Sequence, residues 1–276
     1  MGVYLNPRND GFAEAIHSEI YVDKTGLIAY TNQYLNTEQK FICVSRPRRF
    51  GKSMALRMLA AYYSRGCDSR ELFNGMKIES DPAFADYINR FDVIFLNMQH
   101  FLIRAKKQDF TEYLEQAVLG DIRKEYGDFF SDQETILAAA LEQIYADTGK
   151  KFIFLIDEWD CVMRERQEEE CLQKQYLDFL RNLLKDQSYV ALAYVTGILP
   201  VKKYGQHSAL NMFWEYSMTD QSIFEEYTGF TEGEVKELCR QYDMDFAETG
   251  SWYDGYQFRR FKHVYNPRSV VAAMKS

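Results

Sequence analysis

Cysteine and histidine are sparse in the sequence, and neither is spaced for a disulfide framework or a structural metal site. The chain of 276 residues has five widely spaced cysteines, an odd number with no Cys-x-x-Cys pair, and its four histidines are scattered. Disulfide-stabilised scaffolds and structural zinc folds are therefore excluded. Because unpaired thiols are typical of a reducing compartment, we expect a cytoplasmic location.

Long apolar runs and an excess of basic charge are also missing. No uninterrupted apolar run approaches the roughly 18 residues of a membrane-spanning helix, and no charged-then-apolar leader precedes Gly2, so we expect no membrane insertion. The 33 basic residues are outnumbered by 41 acidic ones, which gives a net charge of −8. Such a chain has no general field that attracts nucleic acid. A local basic groove for nucleic acid is left open.

Basic residues are instead concentrated in one stretch, Arg46–Ser53, which is read as RPRRFGKS. A short apolar strand pattern, Phe41–Ser45, precedes it and a helical pattern, Met54–Tyr63, follows. In that context the backbone amides and the dipole of a helix N-terminus bind phosphate, so a phosphate loop is favoured over an ordinary helix start with a solvated basic loop. The predicted nucleotide contacts are Arg46, Pro47, Arg48, Arg49, Phe50, Gly51, Lys52, Ser53 and Met54.

The first position of this loop departs from the usual pattern G-x-x-x-x-G-K-[ST]. Arg46 stands where a glycine normally eases the turn out of the strand, and Pro47 stiffens the next position because its φ is fixed near −65°. We therefore expect the loop to leave the strand along a different path. The end that faces phosphate, Gly51-Lys52-Ser53, is intact.

A second stretch, Phe152–Asp160, begins with an apolar strand pattern, which ends in the adjacent carboxylates Asp157 and Glu158. Asp157 is predicted to act with the hydroxyl of Ser53 as a magnesium ligand. Glu158 is predicted to orient and deprotonate a water molecule. Lys52 is predicted to hold the outer phosphates.

A third polar residue, Thr196, ends the strand pattern Tyr189–Thr196. If this strand lies beside the strand of Asp157, the Thr196 hydroxyl comes close to the γ-phosphate and can sense it. Without that neighbour, Thr196 is simply a β-branched strand residue. We favour the first interpretation.

The order of these patterns predicts an α/β fold. Strands that alternate with helices form a parallel sheet covered on both faces, so we expect a three-layer sandwich with a central, mostly parallel sheet. After the phosphate loop the strand and helix patterns are, in chain order, Phe91–Asn97, Asp109–Tyr126, Asp132–Thr148, Phe152–Ile156, Glu165–Asp186 and Tyr189–Thr196.

The character of the sequence changes beyond Asp220. The stretch Thr231–Tyr242 reads as a short helix opened by a capping box between Thr231 and Glu234, and a last helical pattern stops abruptly at Ser276. We predict a core over residues 1–220 and a small helical lid over residues 221–276. The abrupt stop predicts a chain that is truncated before a further domain.

With these residues in view, the chain closely resembles the bacterial predicted AAA-ATPase-like family of P-loop proteins. An arginine at the first loop position is itself typical of that family. The resemblance is carried in chain order by Tyr21-Val22-Asp23-Lys24-Thr25, Arg46–Ser53, Leu155–Asp160, Thr196-Gly197-Ile198, Tyr227–Thr231, Trp252–Tyr256 and Tyr265-Asn266-Pro267.

The resemblance implies a P-loop NTPase fold of the ASCE/AAA-like type, in which one strand separates the strand of Asp157 from the strand of the loop. It implies ATP as the ligand, with Asp23 and Lys24 near the adenine end. It also implies that a PD-(D/E)XK nuclease-like domain often follows this region, although the present sequence contains none.

The predicted activity is Mg²⁺-dependent binding and hydrolysis of ATP. We expect the domain to regulate an effector that is either attached to it or a separate partner protein. Two alternatives remain: a slowly hydrolysing, ATP-gated switch in signalling or defence, and a nucleotide kinase-like transferase, which Glu158 disfavours because it suits water activation. The sequence identifies neither the biological partner nor the oligomeric state, and it singles out no arginine finger. The candidate cations are Arg48, Arg49, Lys202, Arg259 and Arg260.

Overall fold

A five-stranded parallel sheet forms the centre of the protein in the computed structural model, which describes residues 2–106, 108–201, 210–217, 223–246 and 263–275. The strand order is β2-β3-β4-β1-β5, so β4 lies between β1 and β3. The strands are β1 (Phe41–Ser45), β2 (Asp92–Asn97), β3 (Phe152–Asp157), β4 (Val190–Gly197) and β5 (Trp214–Tyr216).

Helices connect these strands and cover the sheet. The helices before and after β1 are α1 (Asp10–Ile16), α2 (Gly26–Asn32), α3 (Lys52–Tyr63) and α4 (Phe84–Tyr87). Those after β2 are α5 (Met98–Ala105), α6 (Phe110–Tyr126), α7 (Leu137–Thr148), α8 (Cys161–Glu165) and α9 (Glu170–Leu184). Single 3-10 turns lie at Arg70–Phe73, Lys77–Ser80, Gly127–Phe129 and Ile223–Glu225.

The two faces of the sheet bury two separate apolar cores. Successive side chains of a strand point to opposite faces, and in β1 Phe41 and Cys43 belong to the core under α5, α6, α7 and α9, whereas Ile42 and Val44 belong to the core under α1, α2 and α3. The sheet is therefore the middle layer of three. The predicted α/β fold of the P-loop NTPase type is confirmed.

Most predicted elements are present, with three differences. The helix expected from Glu165 begins only at Glu170, because the chain leaves helical geometry at Arg166, where the separate short helix α8 ends. The helix expected from Asp132 begins only at Leu137, after a turn in which the Glu134 amide donates to the Ser131 carbonyl. Neither α5 nor the three-residue β5 is predicted, because such short segments carry little periodicity.

The C-terminal segment has a small core of its own. Strands β6 (Phe230–Thr231) and β7 (Val264–Tyr265) form an antiparallel pair, which packs with α10 (Glu232–Gln241) and α11 (Pro267–Met274). Both bonds of the capping box between Thr231 and Glu234 are present at the start of α10. The division into a core over residues 1–220 and a lid over residues 221–276 stays a prediction, and Asp220 lies outside the described residues.

The length and composition of the helices bear on membrane insertion. Among the helices that the structure describes, none combines the length and the apolar character needed to cross a bilayer.

Candidate functional site

Three polar side chains meet where β3 and β4 end beside the start of α3. The Ser53 hydroxyl donates to Oδ2 of Asp157 at 2.6 Å, and the Thr196 hydroxyl donates to Oδ1 of the same carboxylate at 2.6 Å. Asp157 and Thr196 are buried, while Ser53 is exposed at the first turn of α3. The carboxyl ends of parallel strands form the binding edge of an open α/β sheet, so these residues lie where a ligand is expected.

The ammonium group of Lys52 lies over the loop that precedes α3. Its Nζ donates to the carbonyl oxygens of Arg46 and Pro47, each at 2.9 Å. Burial lowers the pKa of Lys52, and the nearby carboxylates of Glu158 and Asp157 oppose that shift. Lys52 is thus a partly desolvated cation held at the loop, and a phosphate group can replace the two carbonyls as its partner.

The loop makes its turn near its end, as the substituted first position requires. Arg46 still continues the strand, because its amide donates to the Gly197 carbonyl at 3.0 Å. The left-handed conformations come later, at Arg49 with φ 71° and Gly51 with φ 84°. Gly51 immediately precedes α3, which begins at Lys52 and has twelve residues. The backbone amides of the first turn of α3 have no partner within the helix, and they face the site.

Arg46 is a buried anchor of this loop. Its side chain is 1% exposed; Nε donates to the Thr228 hydroxyl at 3.1 Å, and Nη1 donates to the carbonyls of Ser45 at 3.0 Å and Tyr216 at 2.8 Å. Burial lowers the pKa of Arg46 to about 10. The guanidinium therefore links the loop to Tyr216 and Thr228, and a nucleotide contact by Arg46 stays a prediction.

The C-terminal segment holds the loop at two further points. The Gly229 amide donates to the Phe50 carbonyl at 3.1 Å, and the Asn266 side chain donates to the Arg48 carbonyl at 3.4 Å. The Phe50 ring is buried, and a Cβ atom at Gly229 would lie 3.1 Å from it and 2.5 Å from Val264. The lid thus contacts the phosphate loop through the backbone as well as through Thr228.

Glu158 adopts an uncommon backbone conformation beside a cation. Its φ is 54°, and its carboxylate forms an ion pair with Arg164 of α8. Burial raises the pKa of Glu158, and the positive charge of Arg164 opposes the rise. A cavity of about 520 Å³ opens here, and six of the residues around it are Arg48, Lys52, Ser53, Asp157, Glu158 and Arg164.

A separate apolar cleft of about 300 Å³ lies on the other side of the loop. Part of its wall comes from the phosphate loop and α3, through Phe50, Met54 and Met58. Four residues of the N-terminal part and several of the C-terminal segment also line it: Ile20, Tyr21, Val22 and Lys24, together with Tyr227, Phe230 and Val271 among others. An apolar cleft that adjoins a cationic cavity fits an aromatic ligand with an anionic tail.

Asp23 precedes Lys24 in the chain, but it is not one of the residues that line this cleft. Its Oδ1 accepts the Thr25 amide at 2.8 Å at the start of α2, and its Oδ2 accepts the Lys77 amide at 2.7 Å. Lys24 does line the cleft, and its Nζ contacts Glu234 of the lid at 2.5 Å. Asp23 thus bonds two backbone amides, and a direct nucleotide contact by Asp23 stays a prediction.

The donor set around Asp157 suits magnesium. One carboxylate and one hydroxyl are hard oxygen ligands, and Mg²⁺ is usually bound by one or two such groups together with water and phosphate oxygens. No group of three His, Cys, Asp or Glu side chains within the described ranges could hold a metal ion by itself. The residues therefore fit an ion that arrives with a phosphorylated ligand better than a resident metal.

Three contributors to the site escape prediction from the sequence. Arg164 carries no motif signal, although its place shortly after Asp157-Glu158 on a short helix could have suggested it. Thr228 and Asn266 lie inside stretches that carry the family resemblance, but nothing local indicates that they contact the phosphate loop. Lys202, Arg259, Arg260 and the stretch Trp252–Tyr256 lie outside the described residues.

Comparison with known proteins agrees with this geometry. The chain belongs to the predicted AAA-ATPase-like family, which it matches over residues 10–206. Membership implies ATP binding and hydrolysis. The chain is also 26% identical over 257 residues to "Uncharacterized protein in vnfD 5'region" of Azotobacter chroococcum mcd 1, an alignment that covers 91% of this chain and 47% of that protein. The chain thus spans about half the length of this curated relative.

Proposed function

We propose that the protein binds ATP with Mg²⁺ and hydrolyses it to ADP and phosphate. The observation that supports this best is the convergence of the hydroxyls of Ser53 and Thr196 on the carboxylate of Asp157, beside the start of α3. These groups come from three separate elements, and each is the residue type that a γ-phosphate and its metal require.

The two cavities suggest how the nucleotide lies. The adenine base fits the apolar cleft between residues 20–24, α3 and the lid, and the triphosphate extends over Gly51 into the cationic cavity. Lys52 leaves its two carbonyl partners and binds the β- and γ-phosphate oxygens. Because Phe230 and Val271 of the lid line the cleft, the lid is part of the nucleotide site in this proposal.

Each remaining side chain has one role in hydrolysis. Glu158 orients the attacking water and accepts its proton, and the Thr196 hydroxyl senses the γ-phosphate. Ser53 and Asp157 would hold Mg²⁺, which supplies charge neutralisation at the phosphate oxygens when it is bound. The water oxygen forms a bond to the γ-phosphorus while the bond to the β–γ bridging oxygen breaks, and ADP leaves with that oxygen.

Two variants of the full chain test the assignment. Lys52→Ala should abolish measurable ATP binding in titration calorimetry, because it removes the loop cation. Glu158→Gln should bind ATP normally and release phosphate at least about 100-fold more slowly, the lower range of a general base. Normal ATP affinity in Lys52→Ala would overturn the site, and unchanged turnover in Glu158→Gln would overturn the role of Glu158.

A slowly hydrolysing, ATP-gated switch is the second candidate. It is favoured by the three contacts through which the C-terminal segment holds the phosphate loop, at Arg46, Arg48 and Phe50. In this form the cytoplasmic domain regulates an attached or partner effector, such as a nuclease-like domain beyond this chain. Steady-state turnover well below the single-turnover rate, with slow ADP release, would favour the switch over a fast ATPase.

A further inference from the structure

The side chain of Arg164 bridges two carboxylates at the edge of the cavity of about 520 Å³ beside Lys52. Its Nη2 contacts Oε2 of Glu158 in an ion pair, and its Nε lies 3.2 Å from Oδ2 of Asp160. The side chain is 13% exposed, so the bridge is largely removed from solvent. Arg164 also lines the cavity that contains Lys52 and Ser53.

The second carboxylate of the bridge is itself fixed. Asp160 is fully buried, and its Oδ2 accepts the backbone amides of Ile198 at 3.0 Å and Leu199 at 2.7 Å. These amides follow directly after β4, the strand that carries Thr196. Asp160 therefore holds Arg164 against the segments that follow both β3 and β4.

The position of the Glu158 carboxylate depends on its surroundings. Glu158 follows the last residue of β3 in a left-handed conformation, with φ 54°, which a non-glycine residue adopts only when its surroundings impose it. Within the described part of the chain, its carboxylate accepts a hydrogen bond from the side chain of Arg164. Removal of the cation would leave a half-buried carboxylate free to turn.

We propose that Arg164 is a positioning residue that holds the carboxylate of Glu158 at the γ-phosphate end of the site. This inference rests on the proposed ATPase function and adds a residue to it. Arg164 acts through Glu158, because its Nη2 already donates to Glu158 and its guanidinium forms a second ion pair with Asp160. A direct contact of Arg164 with the γ-phosphate is the competing role, and the experiment separates the two.

The experiment uses five variants of the full chain: Arg164→Gln, Arg164→Lys, Glu158→Gln, the double variant Arg164→Gln/Glu158→Gln, and Arg166→Gln. The last is a matched control, since Arg166 is an exposed arginine that pairs with Glu169 outside the cavity. For each variant, kcat, the affinities for ATP and ADP, and the thermal unfolding midpoint are measured.

Arg164→Gln should lower kcat by roughly 10- to 100-fold, the scale of a misplaced catalytic group, and leave the ATP affinity unchanged. Arg164→Lys keeps the charge but cannot contact both carboxylates, so its kcat should be intermediate. The double variant should be no slower than Glu158→Gln, because Arg164 has no effect once the base is gone. Arg166→Gln should match the wild type.

Several results would overturn the inference. If Arg164→Gln, or Arg164→Lys where the glutamine variant does not fold, has wild-type or higher kcat, Arg164 does not position the base. A further loss in the double variant, with weaker binding of ATP but not of ADP, would assign Arg164 to the γ-phosphate. Failure of the wild-type protein to bind or hydrolyse ATP would instead reject the proposed function on which the inference rests.

Discussion

The hydroxyl of Ser53 lies 2.6 Å from Oδ2 of Asp157 and donates to it, which joins the first turn of α3 to the end of β3. The two residues are 104 positions apart in the chain. Because both oxygens already meet in the fold, a ligand does not have to assemble this part of the site.

Ser53→Ala should therefore remove one of the two oxygen ligands while leaving the fold intact. We expect ATP turnover to fall by about 100-fold or more, as for the loss of a single electrostatic contact with the transition state. Phosphate release is the measurement. Ser80→Ala is the control, because Ser80 is an exposed serine whose hydroxyl donates to the Lys77 carbonyl; equal activity of the two variants would remove Ser53 from the site.

Removal of divalent metal should have a similar effect in the unmodified protein. We expect EDTA to abolish hydrolysis and added Mg²⁺ to restore it, since no described cluster of side chains could retain a metal without phosphate oxygens. Activity is titrated against free Mg²⁺ at fixed ATP. In Asp157→Asn the half-saturating Mg²⁺ concentration should rise, and an unchanged value would mean that Asp157 is not a ligand.

The apolar cleft can be tested by filling it. Val271→Trp should raise the Kd for ATP by about tenfold or more, equivalent to about 1.4 kcal/mol, because the indole occupies the space assigned to the base. Binding of inorganic tripolyphosphate should stay unchanged. Ile136→Trp places the same ring at an exposed position outside the cleft and should leave both affinities unaltered. If Val271→Trp binds ATP normally, the base lies elsewhere.

Thr228→Val tests the anchor of Arg46. The substitution removes the oxygen that accepts from Arg46 Nε at 3.1 Å, so a buried cation loses a partner. The free energy of unfolding should fall by about 1–3 kcal/mol, measured by urea denaturation. Thr228→Ser keeps the hydroxyl and should retain most of the stability. Equal stability of the valine variant and the wild type would contradict the anchor.

The ion pair between Lys24 and Glu234 joins the wall of the cleft to the lid. Both side chains are largely buried, and Lys24 also donates to the Glu226 carbonyl at 2.7 Å. Lys24→Met should lower the free energy of unfolding by about 3–5 kcal/mol, because the largely buried carboxylate of Glu234 loses its cation. In Lys24→Met/Glu234→Gln the urea midpoint should partly recover, because glutamine removes that charge and can still bond the Thr231 amide. No recovery would mean that the pair is not coupled.

The sequence predicts β1 to β4 because each of them is a local apolar run, such as Phe152–Asp157, whereas the short strands β5, β6 and β7 carry no such signal. The phosphate loop is likewise predicted from a local pattern, because Lys52 opens a helix shortly after a strand. The pairing of Arg164 with Glu158, and of Arg46 with Thr228, depends on how separate segments pack, which no local pattern encodes. The same holds for Asp23, whose carboxylate accepts the amides of Thr25 and Lys77.

Within the described residues, three hydrogen bonds join the C-terminal segment to the phosphate loop, at Thr228, Gly229 and Asn266. Displacement of this segment would break the bonds to the carbonyls of Arg48 and Phe50. By thermodynamic reciprocity, if docking of this segment strengthens nucleotide binding, bound nucleotide strengthens docking by the same factor. A protein or domain that binds this segment would then be coupled to the nucleotide state of the site.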